Sequence, residues 1–162
     1  MIYRRNGRRR LGATLIEVLF AIFLVGAGAL IVAATMPIAN VSRAMADNNN
    51  KATSLAQKQL EAIRGLGYAN ATAPQLLANG LIDSTSPTSP PPEVSLPAST
   101  TYSFSNTDLA ALDQTSRVLN QGAGYVSIEQ VDIDLKRVTV VVRWVERDRP
   151  KTVVLATLVA NL

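Results

Sequence analysis

Between Ala13 and Met36 the chain carries a single charge, Glu17, in an otherwise apolar run that no turn signal interrupts. At about 1.5 Å per residue, such a run spans roughly 36 Å as a helix, enough for the hydrocarbon core of a bilayer. The segment is therefore predicted to cross a membrane. Pro37 removes one helical hydrogen bond, so it predicts a bend and not an end.

Beyond Pro37 the apolar residues Ile38, Val41, Met45, Ala52, Ala56, Leu60 and Ile63 recur at spacings of three, four or seven. Leu55 flanks this stripe, and Arg43, Asp47, Lys51, Lys58 and Glu61 lie off it. That pattern predicts an amphipathic helix with one covered side. Asn48, Asn49 and Asn50 are weak helix formers and predict local loosening, and Gly65 and Gly67 supply the stop. One helix is thus expected from about Ala13 to about Arg64, roughly 75–80 Å at standard rise.

The remainder is organised differently. Residues 71–82 can hold a short helix, and Ser84–Thr100 is a Pro/Ser/Thr-rich stretch expected to run over the surface without a packed element. A short strand is expected at Thr101–Ser105 and a single helical turn at Asp108–Asp113. Tyr125–Ile133 and Arg137–Glu146 alternate, Thr152–Ala160 is β-branched and apolar on both faces, and "RDRP" joins the last two as a polar hairpin. Val138, Val140, Val142 and Trp144 share one strand face, which marks Trp144 as a core residue. A meander of three or four strands needs a cover, and the amphipathic half of the helix is the large candidate. The expected fold class is α+β, a long N-terminal helical spine packed by a small C-terminal antiparallel sheet.

Charge divides the 162-residue chain in the same sense. The net charge of +4 is local: Arg4, Arg5, Arg8, Arg9 and Arg10 fall in the first twelve residues, which hold no acid, leaving eleven bases against twelve acids elsewhere. Nucleic-acid binding is not expected, because the rest of the chain has no basic block. The arginines are read instead as holding the N-terminus on the cytoplasmic side, which leaves the C-terminal head outside the cytoplasm. Cysteine and histidine are absent, which excludes zinc sites built on them and Ser-His-Asp or Cys-His catalysis. No cofactor is implied and no enzyme is expected. Glu129, Asp132 and Asp134 match no calcium-loop spacing and read as a solvated strand end.

A secretory signal peptide ends its apolar region at a small-residue cleavage site. Here the small residue, Gly12, precedes the run. A cut after Gly12 would remove the arginines and leave the membrane helix, with Glu17 fifth in a chain that begins at Ala13. "GATLIEVLFAIFLV" resembles the leader of type IV prepilins and type II secretion pseudopilins, matching at Gly12, Thr14, Leu15, Ile16 and Glu17.

The resemblance implies a leader (1–12) removed by an inner-membrane prepilin peptidase and N-methylation of Ala13. It further implies a transmembrane and assembly half (13–36), an amphipathic half (37–64) and a pilin-like head (65–162) with its Pro/Ser/Thr-rich loop at 84–100. Ala13 stands where phenylalanine or methionine is usual. Pro37 lies a few residues further on than in major pilins, and the disulfide of many major pilins cannot form. The last two points favour a minor pilin or minor pseudopilin.

The implied partners are other pilin-like subunits, the prepilin peptidase, an inner-membrane assembly platform and membrane lipid. The implied location is the inner membrane, single-pass, and then the pilus or pseudopilus. A carboxylate in an apolar segment is costly, about 2.5–3.5 kcal/mol at a helix centre on the insertion scale. Pairing of Glu17 with the Ala13 amine of a neighbouring subunit would offset that cost only on assembly. Two other readings stand beside this one: an uncleaved single-pass anchor presenting a binding domain, and a pseudopilin of a DNA-uptake system.

Overall fold

The computed structural model describes residues 14–107 and 114–161, leaving aside the side chain of Ile38. The leader, Ala13 and the helical turn expected at 108–113 lie outside the described residues. The chain divides into two compact units, Met1–Arg43 and Ala44–Leu162.

Helix α1 runs over Leu15–Asn70. Pro37 lies inside it without ending it, and Asn48–Asn50 are helical throughout, so the loosening expected there does not occur. Asn48 has a specific reason to be ordered: its Nδ2 donates to Glu146 Oε1 at 3.1 Å. The stop falls at the second of the two glycines. Gly67 has φ 77° and ψ 173°, so the helical path breaks there and a further turn follows to Asn70. Only glycine takes that positive φ without strain.

In the second unit α1 is followed by α2 (Ala73–Ala78), a 3₁₀ turn (Ala98–Thr100), β1 (Thr101–Ser103) and α3 (Thr115–Val118). Then come β2 (Ala123–Asp132), β3 (Leu135–Glu146) and β4 (Arg149–Ala160). The four strands form one antiparallel sheet in sequence order. β3 and β4 are present with longer bounds than expected, β2 starts two residues earlier and stops one short of Ile133, β1 is shorter than expected, and α3 was not anticipated. The β3–β4 connection is a two-residue turn between the paired Glu146 and Arg149, with φ 50° at Arg147 and φ 60° at Asp148. Two positive φ values in succession match the twist of a tight hairpin, here without the glycine usual in that role.

The inner face of the sheet carries Val126, Val138, Val140, Val142 and Trp144, all buried, against Ala52, Leu55, Ala56 and Ile63 of α1. The sheet therefore covers the predicted helical stripe from Ala52 to Ile63. Leu60 is only half-buried, whereas Leu55, read as a flank, is buried, as is Gln59. Gln59 is polar and gave no apolar signal; its Nε2 donates to the Leu81 carbonyl.

Two contacts fix how β3 lies on α1. Glu146 meets Asn48 at one end. At the other, Lys136 Nζ donates to the carbonyls of Tyr68 at 2.8 Å and Ala71 at 3.1 Å. The twenty helical residues between these contacts rise about 30 Å and the ten strand residues about 33 Å, so β3 runs antiparallel along the helix with matched length.

The outer face is covered in part by the Pro/Ser/Thr-rich stretch. That stretch has no strand or α-helix, as expected, but it is more than a surface loop. Val94 within it and Val141 on β3 are both buried and both lie outside the main core cluster. Glu93 sits 3.9 Å from Arg143 on the same strand face, and Thr100 Oγ1 lies 3.0 Å from Ser127 Oγ on β2.

Candidate functional site

Of the residues expected to carry processing and assembly, Thr14, Leu15, Ile16 and Glu17 lie where α1 begins. Gly12 and Ala13 lie outside the described residues. Thr14 immediately precedes the first helical residue, and its carbonyl accepts the N–H of Glu17 at 2.9 Å and of Val18 at 3.2 Å. Thr14 Oγ1 also lies 3.4 Å from the Glu17 nitrogen. Thr14 is thus the N-cap, and Glu17 the third helical residue. Thr-x-x-Glu ahead of an apolar run is the sequence pattern of a capping box, in which the cap side chain and the third residue satisfy each other's backbone donors.

Sequence reasoning used Thr14 only as part of the processing and assembly motif and passed over this signal, which was there to be read. A carboxylate in the first turn also faces the positive end of the helix dipole, which stabilises an exposed anion by about 0.3–1 kcal/mol. Glu17 therefore has a local role at the helix start.

From that point the helix presents apolar surface on all sides. Leu15 and Ile16 are 83% and 74% exposed, and exposure continues through Phe20, Phe23, Leu30 and Met36. Ile16, Leu19, Phe20 and Phe23, three and four residues apart, line a shallow apolar groove on one flank. By length and composition α1 can cross a membrane: its most apolar 18-residue window has mean hydropathy 2.7 and none of it is buried. A Cβ added at Gly26 or Gly28 would meet nothing within 4 Å, so nothing in the described chain requires glycine at either position.

The other candidates in the head resolve into structural roles. Glu129 lies 3.8 Å from Arg137, Asp132 Oδ1 accepts the Ile133 N–H at 2.7 Å, and Asp134 Oδ1 accepts from Asn161 Nδ2 at 3.0 Å. The three carboxylates turn to three different partners, and among the described residues no cluster of three or more metal-ligating side chains forms. Trp144 is buried on the inner sheet face, as its alternation with the valines predicted.

Tyr125, on the outer face, has its phenol pushed up from 10.0. Burial is the main cause; Arg143 works in the opposite direction and Glu93 adds to the rise. Comparisons with protein-family models, with curated proteins and with solved structures found no match.

Proposed function

We propose that this chain is a prepilin-like structural subunit, a minor component of a type IV pilus or a type II secretion pseudopilus. In this reading it is cleaved after Gly12, methylated at the Ala13 amine and held in the inner membrane by α1, with its head outside the cytoplasm. Assembly then packs the apolar part of α1 against the same part of other pilin-like subunits. The carrying observation is the sequence motif Gly12–Glu17, whose described residues Thr14–Glu17 open a helix that, Glu17 apart, exposes apolar surface over its first five turns.

Bilayer lipid would cover that surface before assembly and neighbouring helices afterwards. Glu17 suits both stages. Alone, it sits at the third position of a capped helix start. In a fibre it can exchange that setting for the amine of an adjacent Ala13, which water cannot replace in an apolar medium.

Intact mass spectrometry of the membrane fraction tests the processing step. Cells with an active prepilin peptidase should yield a chain that begins with methylated Ala13, and Gly12→Leu should block its formation. Retention of residues 1–12 in such cells would favour the uncleaved anchor instead.

A further inference from the structure

We propose that the β3–β4 turn and the bases around it bind anionic phospholipid headgroups, docking the head on the surface of the membrane that α1 crosses. The inference rests on α1 lying in a membrane and not on cleavage after Gly12. It starts from a turn that goes against backbone preference. Two-residue hairpin turns with two positive φ values favour Asn-Gly, Asp-Gly or Gly-Gly. Here Arg147 takes φ 50° and Asp148 φ 60°. Arginine in the left-handed region is strained, and strain of this kind collects where function holds a side chain in place.

The turn is also basic. Arg147, Arg149 and Lys151 are exposed, and so is Arg117 in α3. Asn120, three residues after Arg117, accepts the Val145 N–H at 3.0 Å and donates from Nδ2 to the Val145 carbonyl at 3.2 Å, which brings that segment to the same end of β3. None of these four bases forms an ion pair among the described residues. Of the acids at this end, Asp47 is paired with Lys51 at 2.6 Å. That leaves the four bases against Glu146 and Asp148. The other end of β3 has the opposite balance: Glu129, Asp132 and Asp134 stand there against Lys136 and Arg137.

Chain connectivity selects the occupant. Met36 ends the apolar run, and twelve residues later Asn48 holds Glu146 at 3.1 Å. As helix, those twelve residues rise at most about 18 Å. Because β3 runs antiparallel to this part of α1, the turn beyond Glu146 heads back toward the start of the second unit and shortens that span. The headgroup layer takes up about 5–7 Å of it. The bases are thus tethered within about 8 Å of lipid charge, one Debye length at physiological salt. No such tether favours an acidic protein.

The chain has no cysteine, so single-cysteine variants of the full chain test this in nanodiscs of phosphatidylcholine, alone or mixed with phosphatidylglycerol. A fluorophore on Thr152→Cys, exposed beside the bases, should be quenched by headgroup-labelled lipid more strongly when phosphatidylglycerol is present. High salt should remove the difference. A fluorophore on Ile133→Cys, at the other hairpin, should report none. Arg147→Asn separates docking from folding. Asparagine tolerates the left-handed region better than arginine, so the urea midpoint should hold or rise. The ratio of docked to free heads should nevertheless fall about five-fold with the loss of one base.

Equal quenching of the Thr152→Cys probe in the two lipids would overturn the proposal and assign the bases to an acidic protein partner. So would a lipid-dependent difference that survives Arg147→Asn, Arg149→Gln and Lys151→Gln together. A chain that fails to enter the discs would overturn this docking and the membrane reading of α1 alike.

Discussion

Glu17 is where a residue-scale argument separates two roles that its position merges. Glutamine can keep the hydrogen bonding of a capping box but not the charge, and leucine keeps neither. Both Glu17→Gln and Glu17→Leu should leave membrane insertion intact or easier, because each removes the one charge in the apolar segment. If assembly needs the charge, both should lose crosslinking to neighbouring pilin-like subunits. If it needs only an ordered helix start, Glu17→Gln should crosslink like the wild type, and that outcome would sink the pairing argument.

Two residues in the head make sharper demands. A Cβ at Gly124 would lie 2.4 Å from the Phe104 ring, so Gly124→Ala should cost about 1–3 kcal/mol through overpacking. A lowered Tm, restored in part by Phe104→Leu, would show it. Tyr125 keeps its proton to higher pH when folded than when unfolded, because burial raises its phenol above 10.0. Its share of stability is therefore whole below that value and is lost as pH rises through the raised folded value. The alkaline fall in stability should be shallower in Tyr125→Phe, as measured by denaturant titration above pH 10.

At the scale of elements, α1 and the sheet depend on small residues where they meet. Ala52 and Ala56 are fully buried against the valine face of the sheet, so helix and sheet can approach closely. Ala56→Leu should strain this contact by about 1–3 kcal/mol, read as a lower midpoint in urea. At the far end, Lys136 also sits 4.4 Å from the centroid of the Tyr68 ring, while the Tyr68 hydroxyl donates to the Ile133 carbonyl. Lys136→Met should cost about 1–2 kcal/mol, because two carbonyls next to the Gly67 break lose their donor.

These elements differ in how plainly the sequence announces them. The helical stripe and the valine face of β3 were legible because burial there is apolar and periodic. Gln59 was not, because its burial rests on a bond to Leu81, which is distant in sequence. The role of Val94 was hidden for a similar reason. A proline-rich stretch has no periodicity of its own, and only the finished sheet gives it a surface to cover. The site was legible as a motif, while its helix-capping geometry was present in the letters Thr14 and Glu17 and went unread.

Taken whole, the molecule sets a bare apolar helix and a self-sufficient head on one chain. The head holds its own core between the second half of α1 and the sheet. Changes in the first unit should therefore leave the head's stability unaltered. Phe20→Ala and Phe23→Ala, both at exposed positions, should leave the head's urea midpoint within about 0.5 kcal/mol of the parent, as surface substitutions generally do. A larger shift would mean that the apolar helix supports the head.

The antiparallel lie of β3 on α1 also has a consequence in time. Synthesis runs from the N-terminus, so the stripe Ala52–Ile63 emerges early, and most of the valines that cover it belong to β3. Until β3 has left the ribosome, that stripe is a sticky surface in transit. The head cannot close piecemeal as it is delivered. It closes late, when almost the whole chain has arrived.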